Sequence, residues 1–143
     1  MKKNVMLTIR GRQDYEGQEP EVIELMTEGT LERLENGWEI SYQESDLTGL
    51  QGVTTTFRVE PEVITLTRSG GLNSQMVFQV GTFHESLYQM EFGALMITVC
   101  ASRMAYDITW EGGTVDLIYG IDIEQSAAGI VTYHLDIQQK ADR

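Results

Sequence analysis

Apolar side chains recur at every second position along almost the whole chain, and no other feature constrains the fold as strongly. Val115, Leu117, Tyr119, Ile121 and Ile123 form the longest such series, with Asp116, Gly120 and Asp122 on the opposite phase. Val5, Leu7 and Ile9 repeat the pattern early, Val53, Thr55, Phe57 and Val59 in the middle, and Val131, Tyr133, Leu135 and Ile137 late. A period of two sends alternate residues to opposite faces of a strand, so each series describes one buried and one wet face. No helical stripe longer than two turns interrupts them. The chain reads as nearly all strand.

Turn chemistry cuts these series short. ENGW (35–38), SGGLN (69–73) and EGGT (111–114) each supply glycine for a hairpin, and VEPEV (59–63) places Pro61 where its fixed φ suits a turn. Two segments precede residue 36. They are followed by 38–45, 53–60, 63–69, 75–81, 84–92, 94–104, 106–111, 114–124 and 130–139. Tight links between short antiparallel strands predict one all-β domain across 1–143, an up-and-down barrel of about ten strands whose closure removes exposed edges. At 35–38 a three-residue turn, setting Leu34 across from Trp38, is preferred over a two-residue Asn36-Gly37 turn. The bulky inward residues Trp38, Phe57, Phe78, Trp110, Tyr119 and Tyr133 lean toward a largely filled interior. Segment 94–104 departs from alternation, being apolar or small on both phases, which is read either as covered by other parts of the chain or as a homodimer interface.

Charge narrows the function classes. The chain carries 10 basic and 22 acidic side chains, a formal net charge of -12. Such an acidic surface repels phosphate backbones and anionic lipid heads, so neither nucleic acid nor membrane is expected as a partner. The single cysteine, Cys100, permits no intrachain disulfide and fits a reducing compartment. Arg10 and Arg12 break the short apolar run after Lys2 and Lys3 before a signal sequence can form. A cytoplasmic protein is expected.

The informative anomaly is Glu44. Trp38, Ile40 and Tyr42 mark an inward phase, and the same phase next lands on a carboxylate. The Pro61 turn pairs Val59 with Ile64 and Phe57 with Leu66, and so sets Thr55 across from Arg68. The inward phase of that strand then reads Ile64, Leu66, Arg68. Glu44 and Arg68 end up two strands apart at one mouth of the barrel, with Thr55 between them. Charged side chains on an apolar phase are costly unless paired. Two readings follow. One is a structural rim ion pair, with Tyr42 and Thr55 donating hydrogen bonds. The other is a ligand site formed by Tyr42, Glu44, Thr55 and Arg68, where the guanidinium grips an anionic head group.

Catalytic and metal signals are weak. His84, His134 and Cys100 lie on three separate strands without the close spacing of zinc ligands. His134 is expected to face solvent, and Cys100, beside Val99 and Ala101, reads as a buried small hydrophobe. Met76, Met90, Met96 and Met104 are gap fillers within strands, and Asp116 and Asp122 belong to a solvated face. No catalytic residue, metal or cofactor is predicted.

The run WEISYQESDLTGLQGVTTTFRVEPEVITLTRSGG, followed by MVFQVG and YQMEFGALMITV, resembles the YwiB-like family of small bacterial proteins. The resemblance covers roughly residues 5–137, and its motif positions map onto Tyr42, Glu44, Gly52, Thr55, Arg68, Gly70, Phe78, Gly81, Tyr88 and Gly93. It implies a calycin-like, lipocalin-related β-barrel and supplies no reaction. The sequence departs from the family where Val99, Cys100 and Ala101 follow FGAL, which makes an apolar interface there more plausible. The combined expectation is a non-enzymatic protein binding a small anionic or amphipathic ligand at one barrel mouth. Its rival is a filled barrel acting as a homodimer or adaptor through 94–104.

Overall fold

The computed structural model describes residues 2–15, 17–44, 51–90, 93–124 and 126–140, and these contain strands and turns but no helix. In chain order the strands are β1 (Lys2–Tyr15), β2 (Glu21–Leu34), β3 (Gly37–Gln43), β4 (Thr54–Val59) and β5 (Ile64–Ser69). They continue with β6 (Ser74–Phe78), β7 (Phe83–Met90), β8 (Gly93–Thr109), β9 (Gly112–Ile123) and β10 (Ser126–Gln139). Every ladder between these strands is antiparallel, and the order β6-β5-β4-β3-β2-β1-β10-β9-β8-β7 places each strand beside its neighbours in sequence except at β6 and β7, with β1 also pairing β10. This is the up-and-down, calycin-like barrel expected from the alternation. Closure is incomplete only between β6 and β7. There Asn73 and Gln89 exchange backbone hydrogen bonds of 3.0 and 2.9 Å, and the Thr82 amide donates to Gln79 at 3.2 Å.

The Pro61 hairpin has the predicted register: Val59 pairs Ile64, Phe57 pairs Leu66 and Thr55 pairs Arg68. The β2–β3 hairpin at ENGW does not. Arg33 pairs Trp38 and Leu34 pairs Gly37, so Glu35 and Asn36 make the turn instead of either arrangement expected for ENGW. Gly37 serves a different need, because a Cβ there would lie 1.9 Å from the Val59 carbonyl oxygen. The resulting register sets Leu31 across from Ile40, both fully buried.

Segments 94–104 and 106–111 are a single strand, β8. Its pairing with β9 shifts between Ala101 and Arg103, leaving Ser102 as an extra residue. A bulge of this kind reverses the inward phase. Ile97, Val99 and Ala101 point inward before it, and Met104 and Ile108 pack on the core after it. The apolar character on both phases is therefore partly a phase change. Cys100 is corrected by the same alternation: between two inward neighbours it faces outward and is half-exposed, not buried.

The core fills one half of the barrel. Leu7, Leu31, Ile40, Phe57, Val59, Ile64, Leu66 and Phe78 are all buried there. The end that carries the turns at 34–37, 59–64 and 109–112 is capped by Trp38 stacked on Trp110, with ring centroids 6.0 Å apart. Arg33 lies 5.5 Å from the Trp38 ring, and Lys3 lies over Trp110 while donating to its carbonyl at 2.9 Å. The opposite half is not filled, which corrects the expected packed interior.

Candidate functional site: a tyrosine-lined cavity at one mouth

At the other end, where β1, β3, β5, β7 and β9 finish, the barrel encloses a cavity of about 300 Å³. Its apolar wall includes Ile9, Leu25, Met76, Ile97, Ile121 and Val131, supplied by β1, β2, β6, β8, β9 and β10. Its polar groups are Gln13, Glu44, Arg68 and five tyrosines: Tyr15, Tyr42, Tyr88, Tyr119 and Tyr133. Concave apolar sites with a few convergent polar groups are the usual form of small-molecule sites, and this volume is at the small end of their range.

Glu44 answers to the backbone. Its amide donates to the Val53 carbonyl at 2.8 Å, extending the β3–β4 ladder by one step, so its side chain keeps the inward phase of Ile40 and Tyr42. The Glu44 side chain is 2% exposed; its carboxylate accepts the Thr55 hydroxyl at 2.5 Å and lies 3.9 Å from Arg68 Nε through the same oxygen, Oε2. Residues 45–50, which follow Glu44, lie outside the described residues. On the neighbouring side, the turn after Arg68 packs closely: Gly70 has φ 125°, and a Cβ on it would come within 2.3 Å of the Gly52 carbonyl oxygen. Only glycine allows the two links to touch there.

Of the four residues expected at the site, Tyr42, Glu44 and Arg68 line the cavity. Thr55 does not; it is fully buried behind Glu44 and holds that carboxylate by its hydroxyl. The Arg68 side chain is only 14% exposed. Its Nε is buried without a hydrogen-bond partner, as is the hydroxyl of Ser74, its cross-strand neighbour on β6. Buried polar atoms are normally satisfied, so two adjacent orphans beside a cavity call for an explanation. Burial opposes the charge on Arg68, but Tyr133, Tyr88, Tyr42 and Glu44 around it outweigh that and hold its pKa above the ordinary value.

The tyrosines are held by the aromatic core below them. Tyr133 rests on Phe57 with centroids 5.2 Å apart, and Tyr119 on Phe78 at 4.5 Å. The Tyr42 and Tyr133 hydroxyls share a hydrogen bond of 2.9 Å. Tyr15 lies against Gly129, where a Cβ would sit 2.5 Å from its ring. Burial raises the pKa of Tyr42, Tyr119 and Tyr133 above the usual phenol value, so all three remain neutral donors at physiological pH.

Alternation alone assigns Tyr119 and Tyr133 to filling and does not single out Tyr15 or, except as a motif position, Tyr88. The missed signal is residue type by level: the inward aromatics of the closed end are tryptophan and phenylalanine, whereas those of the mouth are tyrosine. A buried phenol needs a polar neighbour, which a phenylalanine does not.

The remaining polar groups lie elsewhere. His134 Nδ1 sits 2.6 Å from Asp116 on the outer wall, and His84 Nε2 lies 2.8 Å from Gln79. Among the described residues, no three His, Cys, Asp or Glu side chains converge as metal ligands. No helix among them is long and apolar enough to cross a membrane.

Comparison with known proteins fits this architecture. Among curated proteins, none matches significantly. The crystal structure of the ywiB protein from Bacillus subtilis superimposes with a TM-score of 0.86 at 21% identity, over 98% of this chain and 94% of that one, which shows a shared fold. The family model described as a domain of unknown function, DUF1934, matches residues 7–137, nearly the entire barrel, and the chain therefore belongs to that YwiB-like family.

Proposed function

We propose that the protein binds a small amphipathic anion in the mouth cavity, without turning it over. The observation that carries this reading is Arg68: a nearly buried guanidinium on the wall of a cavity, with its Nε unpartnered and the Ser74 hydroxyl orphaned beside it. Glu44 balances part of its charge from 3.9 Å, too far for a hydrogen bond, so Nε is left without a partner. An anionic head group would satisfy it, and the half-exposed Ile23, Leu95 and Ile123 nearer the rim suit an apolar tail. A cytoplasmic setting belongs to the same reading, since the half-exposed, unpaired Cys100 suits a reducing compartment.

Native mass spectrometry of the untagged protein, beside its denatured mass, tests the proposal. Extra mass that is lost on denaturation and absent from Arg68→Ala is expected. A clean apo mass that persists after incubation with octanoate would overturn the reading.

A second reading, a homodimer, is favoured by a specific patch. On the outer wall, Val80, Phe83 and Leu87 are 57%, 70% and 48% exposed. Phe83 and Leu87 pair with Cys100 and Met96 of β8. The surface is thus centred on β7 as much as on segment 94–104. Under this reading the native spectrum shows a dimer that Phe83→Glu converts to monomer; a monomer in the unaltered protein removes it.

A further inference from the structure

Resting on the proposed anion site, we infer that the cavity selects a singly charged, planar head group: a monocarboxylate on a short apolar tail, with dianionic phosphate esters rejected. Charge balance carries the argument. Among the described residues, Arg68 is the one cation on the cavity wall, and Glu44 lies on the same wall at 3.9 Å. The pair is close to neutral before a ligand arrives. A monoanion adds one charge that the guanidinium and the phenols can hold, whereas a dianion places a second negative charge beside a buried carboxylate. Like charges a few ångströms apart in a poorly solvated site disfavour one another strongly.

The phenols strengthen the selection without adding charge. Burial keeps Tyr42, Tyr119 and Tyr133 protonated. Within the Tyr42–Tyr133 hydroxyl pair one proton is shared, and the other is free to donate. Neutral donors beside one guanidinium match the acceptor set of a carboxylate, which an arginine fork engages in two parallel hydrogen bonds. Size sets the tail. The cavity of about 300 Å³ holds roughly ten water-sized groups, enough for a chain of about eight carbons.

Calorimetric titration of the unmodified protein with octanoate, octyl phosphate and octanol separates the possibilities. At pH 8 octanoate is expected to bind at least about tenfold more tightly than octyl phosphate, a gap equivalent to ~1.4 kcal/mol. At pH 5.5 the phosphate ester carries mostly one charge, because its second pKa is about 6, and the gap should narrow. Glu44→Gln should narrow it at pH 8, and the pH comparison stands without that variant should it fold poorly. Octyl phosphate binding as well as octanoate at pH 8, with both above octanol, would overturn the charge limit and leave the anion site standing. A gap that ignores both pH and Glu44→Gln would also overturn it, with head-group shape deciding instead. Octanol matching octanoate, or no probe binding, would remove the anion site itself.

Discussion

The two ends of this barrel are built from the same alternating strands, yet one is sealed and the other hollow. At the sealed end Trp38 stacks on Trp110 over a floor of Phe57, Val59, Ile64 and Phe78. At the hollow end, a few residues further along the same strands, the inward positions hold Tyr42, Glu44, Arg68, Tyr119 and Tyr133. Apolar aromatics can meet each other and exclude water completely. Phenols and charges have to keep hydrogen-bonding partners, so a mouth lined with them packs less densely and retains room. A barrel half can thus be made stable or receptive by its inward residue types.

The contrast can be broken by making one substitution in both halves. Ile64→Ala, in a fully buried site, is expected to cost about 4 kcal/mol, near the upper part of the range for such truncations. Ile121→Ala, on the cavity wall, should cost about 2 kcal/mol, because the lost methyls only enlarge an existing space. Urea unfolding of the two variants checks this, and equal losses would mean the mouth is packed as tightly as the floor.

Alkaline pH sharpens the comparison with a smaller effect per residue. The folded chain keeps the protons of Tyr42, Tyr119 and Tyr133 to higher pH than the unfolded chain does. Below about pH 10 both states hold those protons and the phenols give no pH dependence. Above it the unfolded state releases them first, so stability falls as pH rises, by up to ~1.4 kcal/mol per pH unit for each phenol. Tyr119→Phe should flatten the decline between pH 10 and 11.5 by one group's share, read from denaturation midpoints. Among the described residues, no tyrosine takes an inward position at the tryptophan end. An unchanged slope would contradict the burial of Tyr119.

Much of the candidate site was legible along the strands. Alternation put Glu44 on an inward phase, and the Pro61 turn fixed the register that sets Thr55 against Arg68. What alternation cannot carry is depth. Thr55 shares the inward phase with Tyr42, but its short side chain stays behind Glu44 and never reaches the cavity. The bulge at Ser102 was hidden for a related reason: one extra residue in a ladder costs little locally, and a strand whose phase reverses looks in sequence like two strands or an unpartnered apolar one. Gly37 misled in a third way, since a glycine needed for close approach to Val59 resembles one needed for a turn.

Period-two burial and local turn geometry were enough to give every strand but the undivided β8, their antiparallel order, the register of the Pro61 hairpin and the meeting of Glu44 with Arg68. Tertiary structure alone decided that five tyrosines from β1, β3, β7, β9 and β10 share one cavity. It also decided that Arg68 Nε and the Ser74 hydroxyl are left without partners beside it. Residues so distant in the chain meet only through barrel closure, and whether their side chains fill the space between them is a matter of summed volume in three dimensions, which no periodicity records.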